Sequence, residues 1–384
     1  MTISRLHAVI AQLIAASPYR GWSKGDLDRL YPLPCITFQQ YMDCCLYNEQ
    51  DGYYRSGEVR TGRQGDFYTS SYVGDVLARI LAKHVIHLAE EATEPLQLIE
   101  WGAGAGRLSV QIRKAGIASF PEWDAKVSHV LIEDHPLHLQ AAQQLWRSTF
   151  STDCMMPLLL TSEQAWSHHW NQELKLVIAN ELLDAFPVHR VEQTKDGLME
   201  LGVSLNKDLS FEEILMPISD DSLSCWLERE EVRLEEGAQT EINAAAAEWV
   251  GRLASIVPRG RAILIDYGHS AEEYVAAHRR LGTLMCYYKH QAGVNPYIRA
   301  GKQDITAHVP FTMVQHAAEA SGWRLAAYTT QKQFLVDNGV LELLQEHQEL
   351  DPFSSAAREN RAIRQLLLSD SMSESFKVMI LERG

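Results

Sequence analysis

Cysteine is scarce in this chain of 384 residues. There are six, Cys35, Cys44, Cys45, Cys154, Cys225 and Cys286, and none forms C-x-x-C. No Cys/His group has zinc spacing, which excludes a disulfide scaffold and a zinc ribbon or finger; reduced thiols of a cytosolic chain are the expectation. Positive charge is also short: 35 Lys and Arg against 50 Asp and Glu, a net charge of −15. Nucleic-acid binding needs clustered Lys and Arg against phosphates, so a general nucleic-acid binder is excluded. Long apolar runs are missing too. No run approaches the ~18 residues of a membrane span, and the N-terminal stretch is broken by His7 and Gln12. That stretch reads as an amphipathic helix and a poor signal peptide, which predicts a cytoplasmic protein without membrane insertion. Internal repeats and low-complexity linkers are lacking as well.

What is present is alternation. "LQLIEWG", "KVSHVLIED", "MMPLLLT", "LKLVIANEL", "RGRAILIDYGH", "WRLAAYTTQ" and "ESFKVMILERG" are apolar runs of strand length, most with helical patterns between them. This implies parallel strands with helical crossovers. Residues 1–90 read as a mainly helical extension with a polar loop, "RTGRQGDFYTSSYV". Within it, Phe38, Tyr41, Met42 and Cys45 share one helix face. Residues 189–258 read as an inserted acidic piece, a β-meander with "TKDG" as its first turn. A helix over "QTEINAAAAEWVGRLASIV" follows the meander. From Glu192 to Glu241 there are 14 acids against 4 Lys and Arg, either a solvated face or a docking surface for a basic partner. The core is then 91–188 with 259–384.

"LIEWGAGAGRL" carries the most chemistry. A buried strand ends at an acid, Glu100, and a turn follows with glycines at alternate positions, Gly102, Gly104 and Gly106. Glycine lets backbone turn sharply and approach a ligand closely. The helix after it is expected to stop near Gly116. The dinucleotide fingerprint is G-x-G-x-x-G; G-x-G-x-G after an acid differs from it and is the form common in the nucleotide-like fold that binds S-adenosylmethionine. An NAD-dependent oxidoreductase is disfavoured for that reason. Glu133 ends the next apolar run, where a carboxylate can hold a ribose diol, and Asp134 is the alternative.

Six stretches in order, "YNEQDGYY", "GRQGDFYTSSYVG", "IEWGAGAGRL", "ANELLDAFPVHR", "AILIDYGH" and "DITAHVPFT", with "SESFKVMIL" at the end, make the chain resemble the MidA-like S-adenosylmethionine-dependent methyltransferases. The resemblance covers Ile36 to the C-terminus. It implies a class I methyltransferase fold: α/β, Rossmann-like, with a mostly parallel seven-stranded sheet. It also implies S-adenosyl-L-methionine as cofactor and a protein arginine as substrate, since mitochondrial members symmetrically dimethylate an arginine of a complex I subunit. The family's turn is usually E-x-G-P-G-x-G, often with Arg before the last glycine; here those places hold Ala103 and Ala105. The cofactor residues so implied are Glu100, Gly102, Gly104, Gly106, Glu133 and Asn180, with Gly65 and Thr69 of the polar loop. No metal is expected, and the sequence is compatible with a homodimer as well as a monomer.

The chemistry expected is direct transfer of the sulfonium methyl to nitrogen. A guanidinium is a poor nucleophile until a carboxylate orients and polarises it through paired hydrogen bonds. Glu181 is the first choice, Asp66 and Asp184 the second. Asn180 borders the transferable methyl, and His308 of "DITAHV" is a candidate base. Two rival readings are a small-molecule methyltransferase and a non-catalytic cofactor-binding assembly factor.

Overall fold

Seven of the apolar runs become the strands of one sheet. In the computed structural model, which describes residues 4–24, 31–55, 57, 74–151, 154–274, 276–345, 354–368 and 375–384, they are β1 Leu96–Trp101, β2 Val127–Ile132, β3 Leu158–Leu160, β4 Leu174–Asn180, β5 Gly260–His269, β6 Arg324–Thr330 and β7 Phe376–Arg383. Their spatial order is β6-β7-β5-β4-β1-β2-β3. All neighbours from β3 to β5 run parallel, and β7 is antiparallel to both β5 and β6. A two-residue strand, Val309–Pro310, lies off this path against the end of β5. The central strands β1, β2, β4 and β5 are buried on both faces, which is why they read as near-continuous apolar runs rather than alternating ones.

The chain divides into two compact units. One comprises Met1–Gly57, Leu183–Val250 and Gly268–Ala317; the other comprises Glu58–Leu182, Gly251–Tyr267 and Ala318–Gly384. The second unit holds most of the seven-stranded sheet. Its core packs helix α1, Val76–Glu91, against strands β1 and β4 through residues such as Ile80, Leu81 and Val85, with Leu98 and Leu176. Helix α2, Arg107–Ser119, follows the glycine turn, and helix α3, Pro136–Thr149, follows β2. Gly116 does not stop α2. A Cβ there would stand 2.1 Å from the ring of Trp123, so this glycine serves helix packing rather than termination.

In the first unit the meander forms as three antiparallel strands, 189–194, 197–205 and 211–216, closed at Thr194 and Gly197 by the expected turn. The expected helix after it begins later than its sequence suggests. Gln239–Ile242 is a strand paired with His189–Thr194, and the helix is Ala244–Ile256. Short strands at 20–23 and 36–37 also join this sheet. Helix Phe38–Tyr47 begins with a capping box between Thr37 and Gln40, which satisfies two otherwise orphaned N–H groups. Its Phe38, Tyr41, Met42 and Cys45 are fully buried, as their spacing predicts. A smaller sheet joins 285–288 to 291–293 and 304–306.

The acidic segment is partly internal. Glu200 is buried and accepts from His189 Nδ1 and from the Ser219 N–H, each at 2.8 Å. Glu241 accepts from the Thr283 N–H at 2.8 Å. Glu213 pairs with buried Arg190 and with Lys24. Among the described residues no helix is long and apolar enough to cross a membrane.

Candidate active site

The glycine turn sits at the carboxyl end of β1. Trp101 is level with Ile132 of β2 and Ala179 of β4, so Gly102, Glu133 and Asn180 leave the sheet side by side. Ligands of open α/β sheets bind at this edge. All three glycines have positive φ, +74° at Gly102, +50° at Gly104 and +71° at Gly106, a region costly to residues with a Cβ. Their surroundings differ. A Cβ on Gly106 would meet Ala142 at 2.9 Å, and one on Gly102 would meet Leu182 at 3.0 Å. One on Gly104 would meet nothing within 4 Å. Gly106 therefore lets α2 pack on α3, while Gly104 keeps the turn's outer side open.

Glu133 is the first residue after β2. Its Oε2 accepts from the Gly104 N–H and its Oε1 from the His135 N–H, both at 2.8 Å. His138 Nδ1 lies 3.8 Å from Oε1, and His138 stacks on His135. Burial alone would raise the Glu133 carboxyl, but His138 and the two N–H groups outweigh it and hold the group below its usual value. It is an anion fixed against the open glycine. Asp134 caps the helix that starts at Ser162, accepting from its N–H at 2.7 Å. Glu100 is buried, and its Oε2 accepts from the N–H of Ser109 at 3.0 Å and from the Ser109 hydroxyl. This ties β1 to the first turn of α2. Burial pushes its carboxyl up to about 7, against the Ser109 bonds.

β4 ends at Asn180, whose Nδ2 donates to Glu181 Oε1 at 3.0 Å. Glu181 has φ +54°, an uncommon state for a side-chain-bearing residue and one that clusters at functional sites. The turn is pinned from β5. Glu181 N–H donates to the Ile265 carbonyl at 2.8 Å, and Leu182 N–H to Asp266 Oδ2 at 3.1 Å. Asp266, 1% exposed, has a part that the sequence reading did not assign, although "AILIDYGH" ends an apolar run on an acid as "QLIE" and "HVLIE" do.

Asp184 and His308 belong to the first unit. Asp184 is buried in the short 3₁₀ turn Leu183–Ala185, and its carbonyl accepts from the Ala307 N–H at 2.9 Å. On the same segment as Ala307, Asp304 accepts from the Tyr54 hydroxyl at 2.8 Å. His308 Nδ1 lies 2.8 Å from His269 Nε2. Asp66, Gly65 and Thr69 lie outside the described residues. Among the described residues no group of His, Cys, Asp and Glu could hold a metal.

An open glycine, a fixed carboxylate on the neighbouring strand and a second carboxylate after β4 suit a ligand with a ribose diol and a positively charged centre. Comparison with known proteins agrees. Residues 76–329 match the family model described as "Putative S-adenosyl-L-methionine-dependent methyltransferase". The chain is 28% identical over 322 residues to the mitochondrial protein arginine methyltransferase NDUFAF7 homolog of Drosophila melanogaster, covering 75% of this chain and 67% of that one. It is 26% identical over 368 residues to NDUFAF7 of Xenopus tropicalis, covering 89% and 81%. A solved COG1565 superfamily member from Burkholderia thailandensis, bound to S-adenosyl-homocysteine, superposes with a TM-score of 0.83 at 27% identity, covering 98% of this chain and 92% of that one.

Proposed function

The chain belongs to the S-adenosyl-L-methionine-dependent methyltransferase family that its residues 76–329 match, and from that premise we propose that its acceptor is an arginine nitrogen of a protein. The observation that carries this reading is Glu181, a carboxylate held in left-handed backbone at the end of β4, beside the strand that bears the glycine turn. The relatives named as protein arginine methyltransferases support it.

When bound, S-adenosylmethionine supplies a methyl group whose S–C bond breaks with its electron pair left on sulfur, while the acceptor's lone pair makes the new bond. The chain's own residues do the rest. Gly104 and Glu133 would hold the ribose side, the Glu133 carboxylate accepting from the diol. Glu181 receives the guanidinium edge through paired charge-assisted hydrogen bonds, which fix its plane and localise its electrons on one nitrogen. Asn180 fixes the Glu181 carboxylate through its amide. Asp184 and Asp66 are the second choices for the role of Glu181. Because the methyl donor is already activated, positioning supplies much of the rate.

The test is transfer of labelled methyl from S-adenosylmethionine into a lysate lacking this protein, followed by acid hydrolysis of the labelled species. Methylarginine in a protein is the expected product. Label in a small molecule would replace this reading with the small-molecule alternative. Cofactor binding without any transfer would leave a binding module.

A further inference from the structure

A recess of about 30 Å³ lies within the first unit, lined by the helix Ser222–Arg229, the strand Gln239–Ile242 and the segments 271–274 and 310–313. Its walls are mostly apolar, with Trp226, Leu227, Val232, Ile242 and Met313 among them. Trp226, Leu227 and Val232 are only half buried, so the recess reaches the surface. Two carboxylates also line it, Glu230 and Glu241. Their side chains are 7% and 0% exposed.

Most polar groups of these walls are already engaged. Tyr274 donates its hydroxyl to the His308 carbonyl at 2.7 Å, and the Thr312 hydroxyl accepts from the Ala271 N–H at 2.8 Å. Glu241 Oε2 accepts from the N–H and the hydroxyl of Thr283 at 2.8 and 2.9 Å. Glu230 Oε1 lies 2.9 Å from His316 Nδ1. Two oxygens are left over. Among the described residues Glu230 Oε2 and Glu241 Oε1 are buried with no hydrogen-bond partner, although Arg190 Nε stands 3.8 Å from the latter. Arg229, next to Glu230 in the chain, sits over the Trp226 ring at 4.8 Å instead. A buried carboxylate oxygen without a donor is costly, so Glu230 Oε2 above all calls for a donor from outside.

We propose that this recess takes a lysine side chain of a partner protein, its stem against Trp226, Leu227 and Met313 and its ammonium on Glu230 Oε2. Size, wall chemistry and charge select that occupant. The recess has room for one compact group, which suits an ammonium and not the planar fork of a guanidinium. Walls of carbon suit a methylene stem, since lysine buries its stem along apolar surface. A bare metal ion needs more oxygens than the two offered here. The rim is acidic: over 228–236, Glu228, Glu230, Glu231, Glu235 and Glu236 stand against Arg229 and Arg233, which draws a basic partner and orients its approach. The acidic segment then has two uses, internal ion pairs and a docking surface for a basic protein. This site goes beyond the methyl acceptor and does not depend on the arginine reading.

The test uses the full chain labelled with nitrogen-15 on tryptophan, the Trp226 indole signal being assigned through Trp226→Phe. The probe is the capped pentapeptide Gly-Ser-Lys-Ser-Gly. It should shift the Trp226 signal saturably, with a dissociation constant on the order of 1 mM, the scale of one side chain's contacts. The same peptide with acetyl-lysine keeps the stem and loses the charge; with arginine it keeps the charge and changes the head. Both should bind more weakly by about tenfold or more. Glu230→Gln should weaken the lysine peptide by a similar factor. Val232→Phe fills the recess and leaves both carboxylates, and it should abolish the shift. S-adenosyl-homocysteine affinity should hold in both variants, which shows that they fold. Equal binding of the acetyl-lysine peptide would overturn the proposal, since the site would then be apolar only. Equal binding of the arginine peptide would overturn the choice of lysine. The same shift with ammonium chloride alone would make this an ion site, and no shift with any probe would leave the recess to water; either result rejects the partner. Self-association in sedimentation that Glu230→Gln abolishes would replace the partner with a second copy of this chain.

Discussion

Glu181 is where backbone and chemistry conflict most openly. A glutamate at φ +54° costs roughly 1–2 kcal/mol relative to right-handed backbone, and the bonds to Ile265 and Asp266 offset that cost. Two variants separate the roles. Glu181→Gln keeps shape and strain but loses charge; methyl transfer should fall ~10²-fold or more, with S-adenosyl-homocysteine affinity within a few-fold. Glu181→Gly relieves the strain; its unfolding free energy in urea should equal or exceed the wild type by up to about 1 kcal/mol, with transfer equally impaired. Wild-type transfer in Glu181→Gln would pass the role to Asp184 or Asp66. A marked loss of stability in Glu181→Gly would show that its side chain, not its backbone, holds the turn.

Glu100 makes a pH prediction of definite sign. Burial raises its carboxyl from 4.5 to about 7, so the folded chain binds this proton more tightly than the unfolded one. Its contribution is full below about 4.5 and is lost as pH rises through about 7, a change of about 3 kcal/mol. Buried His129 works the other way. Burial lowers it from 6.5 to about 3, so its contribution is present above 6.5 and is lost as pH falls. Subtraction isolates Glu100. Urea unfolding of the wild type and Glu100→Gln should show the variant gaining on the wild type by this order between pH 5 and pH 8. A difference independent of pH would mean that Glu100 is ionised in the fold.

At the level of elements, the glycine turn reads as one motif but contains different requirements. Gly106→Ala drives a Cβ to 2.9 Å from Ala142 in addition to the φ penalty; it should cost the fold about 2–3 kcal/mol. Gly104→Ala carries only the φ penalty, about 1 kcal/mol, because no atom stands within 4 Å of the new Cβ. Its larger effect should be on S-adenosyl-homocysteine affinity, measured by calorimetry. Equal affinities in the two variants, corrected for stability, would remove Gly104 from the cofactor site. Sequence spacing cannot tell these glycines apart, since the neighbours that matter are Ala142, 36 positions from Gly106, and Leu182, 80 positions from Gly102. Gly116 shows the same limit: its partner is a tryptophan seven residues on, beyond the helix. By contrast, the central strands were legible, because a strand buried on both faces writes itself as a near-continuous apolar run. The meander was legible through its turn chemistry. The strands at 20–23 and 36–37 were not, because two to four residues carry no periodicity and their partners in the meander lie more than 160 residues away. Gln239–Ile242 ran into a strong helical pattern and was absorbed by it. The surroundings of His308 were equally hidden: it was visible as a residue, but its contact with His269 arises only through folding.

For the whole molecule, the distinguishing property is which nucleotide-like ligand the fold accepts. S-adenosylmethionine and NAD share an adenosine, so the ribose carboxylate Glu133 does not by itself choose between them. The choice lies in the turn. A dinucleotide's pyrophosphate needs the helix N-terminus to approach it through G-x-G-x-x-G, whereas here Gly106 directly precedes α2 and is filled against Ala142. Glu133 and the Glu181 carboxylate at the same sheet edge also repel two phosphates and favour a sulfonium or an ammonium. A ligand that binds only the folded chain stabilises it by RT ln(1 + [L]/Kd), about 2.7 kcal/mol at a hundredfold excess over Kd. Thermal unfolding of the full chain should therefore move up by several degrees with saturating S-adenosyl-homocysteine and stay fixed with the same concentration of NAD. Glu133→Ala should abolish the S-adenosyl-homocysteine shift, since it removes both the diol's acceptor and the anchor of the Gly104 N–H. A shift with NAD equal to that with S-adenosyl-homocysteine would mean that the turn reads only adenosine and that selection occurs elsewhere in the chain.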